Sequence, residues 1–227
     1  MESFAHQTVR DISAMHPETY KVFHKHGINF CCGGKKPLAE ACEENNVPLE
    51  KVVAELEAVC QTIPDTENWL EKSQSDLIDH IVATHHAYLY DELPRLGLLA
   101  EKVANRHGDR DLHLSELRDL VLKIGSDLLS HIEKEEMSIF PVIREQESHS
   151  LAHGFVHKTP MQVVEFEHQL TSHDLDHLVE ITDNFAILPN MCGSYQALYH
   201  GLKELNDTVR LHIHKENNIL FARMAGL

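Results

Sequence analysis

His131-Ile132-Glu133-Lys134-Glu135-Glu136-Met137-Ser138-Ile139-Phe140, "HIEKEEMSIF", is repeated 81 residues later as "HIHKENNILF", His212 to Phe221, with five of ten positions identical. Each copy contains H-x-x-x-E: His131 with Glu135, and His212 with Glu216. Side chains four apart share one face of a helix, about 5–6 Å apart at Cβ. Apolar residues extend both faces toward the amino terminus. One column is Leu117, Val121, Ile124, Leu128, His131, Glu135, Ile139; the other is Leu198, Leu202, Leu205, Val209, His212, Glu216, Ile219. Both glutamates therefore point where a core should be. An uncompensated carboxylate there costs several kcal/mol, and a cation would compensate it.

Partners for these pairs stand upstream of each copy. "ATHHAYLYDEL" offers His85 and His86, and "EFEHQLTSH" offers His168, 82 residues after His86. Periodicity does not choose between His85 and His86. Midway between 86 and 131 lies Gly108-Asp109, between 131 and 168 the stretch near 150, and between 168 and 212 Pro189-Asn190. All three have turn chemistry. Residues equidistant from a turn share a height in antiparallel helices, at about 1.5 Å per residue. His86, His131, Glu135, His168, His212 and Glu216 are thus expected at one level. Four imidazoles and two carboxylates without thiolate suit iron, manganese or zinc in a non-structural site, best a pair of irons bridged by both carboxylates.

Around these motifs the chain reads as all-α, with sparse Gly and Pro and apolar residues recurring at three and four. Long helical runs are expected over 75–106, 113–146, 159–187 and 191–225. Pro94 and Pro141 should kink or shorten two of them. Short connections make an up-down-up-down four-helix bundle the expected architecture. Ahead of it, residues 1–62 form short helical patterns broken by Pro17, Gly27, Gly33-Gly34 and Pro48. Pro17 and Pro48 suit first turns and Gly27 a helix end. The polar stretch 63–74, holding Pro64, reads as a linker to a bundle over 75–227.

The charge is −16, from 20 basic and 36 acidic residues. Bulk charge therefore excludes nucleic acid and anionic membranes as partners. No basic-then-apolar leader opens the sequence and no apolar run spans a membrane, so a cytoplasmic location is expected. Five cysteines, odd and scattered, fit a reducing compartment rather than a disulfide framework. Histidine is the outlier at 19 residues.

The ordered motifs "INFCCGG", "DHI…HH…LP", "SHIEKEE…FP", "EFEH" and "HIHKENNILF" resemble, over essentially the whole chain, the bacterial repair-of-iron-centres family, with a hemerythrin-like domain after a "CCGG" domain. The resemblance implies two non-haem, carboxylate-bridged irons per chain on His86, His131, Glu135, His168, His212 and Glu216, and its spacing favours His86 over His85. It also implies recovery of iron–sulfur clusters after nitrosative or oxidative damage. Damaged iron–sulfur proteins would be the clients and nitric oxide or oxygen the small ligands, with room for a homodimer. Iron supply is the leading expectation; a di-iron nitric oxide reductase and a module sensing diatomic gas are the rivals.

Cys31 and Cys32 are too close for an ordinary disulfide, since adjacent Cα atoms lie about 3.8 Å apart. With Gly33-Gly34 behind them and Lys35-Lys36 beside them, they read as a reactive thiol pair at a helix end. Cys42, Cys60 and Cys192 read as buried small residues. Asp127 and Glu167 are candidates for orienting a ligand, and His214 is expected to face solvent. His149, His153 and His157 recur at four and fall on a polar connection.

Overall fold

The computed structural model describes residues 4–62, 69–149 and 158–224. Among them are helices and no strand; a single isolated bridge joins Thr8 to Pro37. The fold is all-α. The described residues form two compact units, one reaching to Leu77 and resuming at Leu211, the other covering 78–149 and 158–210.

The second unit holds the bundle. Its first helix is α5 (Gln74–Ile81), whose start lies in the other unit, then a π turn (Val82–His86) and α6 (Ala87–His107). The second is α7 (His113–Lys134), a π turn (Glu135–Ile139) and α8 (Phe140–His149). Next come α9 (Lys158–Ile181) and α10 (Gly193–His214). The division between units falls inside α10, after Arg210. The apolar columns of the sequence are buried: Leu117, Val121, Ile124 and Leu128 on α7, and Leu198, Leu202, Leu205 and Val209 on α10. Gly201 lets α10 close on α6, since a Cβ there would sit 2.6 Å from Leu96 Cδ2.

The third helix stops at Ile181, six residues early, because Asp183, Asn184 and Phe185 all take positive φ. Thr182 Oγ1 accepts the Phe185 N–H at 3.1 Å and supports this reversal. Pro141 neither breaks nor ends its helix. It is the second residue of α8, straight after a π turn in which the Phe140 N–H reaches the Glu135 carbonyl. Pro94 is likewise accommodated inside α6.

The other unit begins with α1 (Val9–Met15), α2 (Tyr20–Lys25), α3 (Leu38–Glu44) and α4 (Leu49–Thr62). Pro17 opens a 3-10 turn (Pro17–Thr19) rather than a helix, and Pro48 immediately precedes α4. Gly27, at φ 67°, ends α2: its N–H reaches the His24 carbonyl and the Ile28 N–H that of Phe23. The chain's end joins this unit through a π turn (Lys215–Leu220) and α11 (Phe221–Met224). Contacts between distant parts of the sequence account for that grouping: Asn218 Nδ2 donates to the Phe30 carbonyl at 3.0 Å, and the His214 ring lies 5.7 Å from that of Phe30.

Candidate metal centre

In the bundle unit, three of the expected ligands converge on a fourth, Glu135, which is fully buried. His131 Nε2 lies 3.1 Å from Glu135 Oε1, His168 Nε2 3.8 Å from the same oxygen, and His86 Nε2 3.5 Å from Oε2. His86 ends one π turn and Glu135 opens another. A π turn adds a residue to the helical repeat and re-aims the side chains around it, which is why such turns gather at functional sites.

The far side of two imidazoles is held by further carboxylates. His86 Nδ1 donates to Glu136 Oε1 and His131 Nδ1 to Glu167 Oε2, both at 2.8 Å. Placing the protons on Nδ1 leaves Nε2 as a lone pair in each ring, the tautomer a metal requires. Burial opposes ionisation of Glu167, but hydrogen bonds from Lys134 and His131 hold its carboxyl below the usual range. Phe140 stacks on His86, with ring centroids 5.6 Å apart, and fixes its plane.

This arrangement concentrates acceptors. His131 Nε2 faces His168 Nε2 at 2.9 Å and Glu135 Oε1 at 3.1 Å. Nitrogens and a carboxylate brought this close need a proton or a cation shared among them. The donor set therefore fits a metal ion of the imidazole-plus-carboxylate class.

In the other unit, the second H-x-x-x-E repeats the pair: His212 Nε2 is 2.9 Å from Glu216 Oε1, and both residues are fully buried. Glu216 lies in a π turn, as Glu135 does. The next two residues hold the cysteine loop. Asn217 Nδ2 donates to the Cys31 carbonyl at 3.2 Å and lies 3.8 Å from Cys32 Sγ; Asn218 Nδ2 donates to the carbonyls of Phe30 and Cys31.

The loop lies between α2 and α3, not at a helix end. Asn29 Oδ1 organises it, accepting the N–H groups of Cys32 at 3.0 Å and Gly33 at 3.2 Å. Cys31 is 1% exposed and directs its thiol at the same oxygen, whereas Cys32 is half-buried. Gly34 is dictated by space: a Cβ there would meet the Phe30 carbonyl at 2.9 Å and Arg10 Cβ at 3.1 Å. Lys36 is engaged by Glu44.

Several sequence readings change. His214 is buried, not solvent-facing; Asn218 Nδ2 donates to its Nδ1 at 2.9 Å, and burial pushes its imidazole down to about 4, so it is neutral. Of the three cysteines expected to be buried, Cys42 is; Cys60 is half-buried, and Cys192 is exposed, with its sulfur 3.3 Å from His107 Nε2. His85 stacks edge-on with His80, and Asp127 pairs with Lys123. Glu167 serves as expected, but Glu136, Asn217 and Asn218 were missed. The signal was present: they stand where the two copies of the repeat differ. His153, His157 and the side chain of His149 lie outside the described residues.

Comparison with known proteins gives a consistent picture. Residues 77–224 match the hemerythrin HHE cation-binding domain, and residues 5–60 match ScdA_N, a domain of unknown function (DUF542). A probable iron–sulfur cluster repair protein of Haemophilus influenzae is 34% identical over 98% of both chains. The iron–sulfur cluster repair protein YtfE of Yersinia pseudotuberculosis is 34% identical over 97% of both, and that of Yersinia pestis 33% over the same share.

Proposed function

The chain belongs to the hemerythrin HHE family, in the full-length group of iron–sulfur cluster repair proteins, and from this we propose that it restores damaged iron–sulfur clusters by supplying iron. His86, His131, Glu135, His168, His212 and Glu216 would hold two iron ions, the two glutamates serving as the carboxylates shared between them. The observation that carries this reading is Glu135, fully buried under three imidazole Nε2 atoms, two of them backed by Glu136 and Glu167. The repeated H-x-x-x-E and the matched heights of the six residues along the sequence support one shared centre. The functional division follows the sequence: residues 1–62, a connection over 63–74, and a metal-binding domain over 75–227.

Iron held there supplies a ferrous–ferric couple and open coordination positions. The chain's own residues fix the imidazole tautomers, exclude bulk water from the glutamates and leave Cys32 as the more accessible thiol of its loop. In this reading Cys32 meets the damaged cluster or the departing iron, and Cys31 holds the loop together. Clients are iron–sulfur proteins, the setting is cytoplasmic under nitrosative and oxidative stress, and a homodimer accommodates the function. Among the described residues no helix is long and apolar enough to cross a membrane.

Iron transfer tests this directly. Ferrous-loaded protein, mixed anaerobically with an apo iron–sulfur protein and sulfide, is expected to lose iron in step with cluster formation, and Cys32→Ser to slow the transfer. Retained iron with no cluster formed contradicts supply. Nitric oxide reduction at the same centre is a second reading, favoured by a donor set of only six residues for two metals. Steady conversion of nitric oxide with an added reductant would support it.

A further inference from the structure

The unit that carries the cysteine loop contains a second set of metal-type donors away from that loop. His16, Glu18 and Cys60 each present one ligand atom, all within 4.8 Å of one another. His16 ends α1 at φ −134° and ψ 78°, outside the helical region that the residue before Pro17 avoids. The 3-10 turn Pro17–Thr19 then brings Glu18 back beside it, with His16 Nδ1 3.8 Å from Glu18 Oε1. Thr19 locks that turn by donating both its N–H, at 3.0 Å, and its hydroxyl, at 2.6 Å, to the His16 carbonyl. Phe4 meets the His16 ring edge-on at 6.0 Å. Helix α4 packs on the turn and supplies Cys60.

We propose that His16, Glu18 and Cys60 form an exchangeable site for a divalent first-row transition metal such as Zn2+ or Fe2+. One imidazole, one carboxylate and one thiolate match the donors such ions take, and three protein ligands leave the fourth tetrahedral position open. Metal–ligand bonds of about 2.0–2.3 Å place tetrahedral ligands about 3.3–3.8 Å apart, so the donors need only a small closure. The Glu18 side chain is nearly buried while His16 remains partly exposed, which gives a shielded anion with an entry side. Binding balances simply: the cation bonds to sulfur, the thiol proton leaves to water, and no redox change is involved. A dication then offsets thiolate and carboxylate.

Without metal, burial pushes the Cys60 thiol up to about 11, and the neighbouring Glu18 carboxylate adds to it. Metal must displace that proton, so its apparent affinity is expected to rise about tenfold per pH unit in the neutral range. The site is independent of the histidine–glutamate centre, whose six ligands include no thiolate.

Cobalt(II) is the probe. The reduced, metal-free full chain is titrated anaerobically and the thiolate-to-cobalt charge-transfer band in the near ultraviolet is followed. We expect that band in the wild type and in Cys31→Ser/Cys32→Ser, and its loss in Cys60→Ser. His16→Gln and Glu18→Gln, with unchanged circular dichroism, should weaken cobalt binding at least tenfold while cobalt at the histidine–glutamate centre persists. A wild type without the band, a band that survives Cys60→Ser, or one that vanishes with Cys31→Ser/Cys32→Ser overturns the proposal.

Discussion

The two copies of the repeat share a histidine–glutamate pair and differ in the residues after it. In the first, His131 and Glu135 lie 3.1 Å apart, Glu136 turns to the Nδ1 of His86, and Met137 is 75% exposed. In the second, His212 and Glu216 lie 2.9 Å apart, and the aligned positions are Asn217 and Asn218, which grip the backbone of Phe30 and Cys31. A further polar difference, Glu133 against His214, obeys the same division: His214 is buried against Phe30 and takes a hydrogen bond from Asn218. One copy supports the proposed metal ligands alone. The other adds a hold on a cysteine loop, using amides because they donate to carbonyls where a carboxylate would repel them.

Breaking the shared part should have the largest effect. Glu135→Ala and Glu216→Ala are each expected to abolish iron retention through gel filtration, measured by metal analysis, because each removes a proposed bridging carboxylate. Removing the support specific to the first copy comes next. Glu136→Ala and Glu167→Ala free the Nδ1 of His86 and His131, and such losses typically reduce metal affinity about 10–100-fold. Competition with a chromophoric chelator measures that shift.

The hold specific to the second copy is worth less and concerns the loop. Asn218→Ala leaves the buried Phe30 and Cys31 carbonyls without this donor, an expected cost of about 1–3 kcal/mol seen in denaturant melts. It should also speed alkylation of Cys31, with iron content unchanged. In the intact chain, timed alkylation should label exposed Cys192 first and half-buried Cys32 next. Cys31 and Cys42 are shielded by burial, and Cys60 by its raised pKa. The smallest effect belongs to Asp127→Ala, which removes an exposed pair with Lys123 and should change stability by about 0–1 kcal/mol and iron content not at all.

The first copy's shared residues were legible in the sequence because burial and function coincide on one face: a carboxylate continuing an apolar column every three or four residues needs a partner. The helix lengths came from the same periodicity. The third helix was misjudged because nothing in Thr182-Asp183-Asn184-Phe185 demands three positive φ angles; a buried aromatic there depends on tertiary packing. The π turns at His86, Glu135 and Glu216 were hidden because a π turn depends on the surface its helix packs against, not on local propensity. His214 was misread for a related reason. It leaves the apolar stripe of its helix, and residues about two hundred positions earlier, Phe30 and the α1 backbone at Ser13, bury it.

The most direct test is the iron stoichiometry of the wild-type chain, purified without oxygen and measured against protein determined by amino-acid analysis. Two irons per chain are expected, one for each H-x-x-x-E with both glutamates shared. A folded wild type that refuses ferrous iron, or saturates with one, would contradict a centre built from both copies.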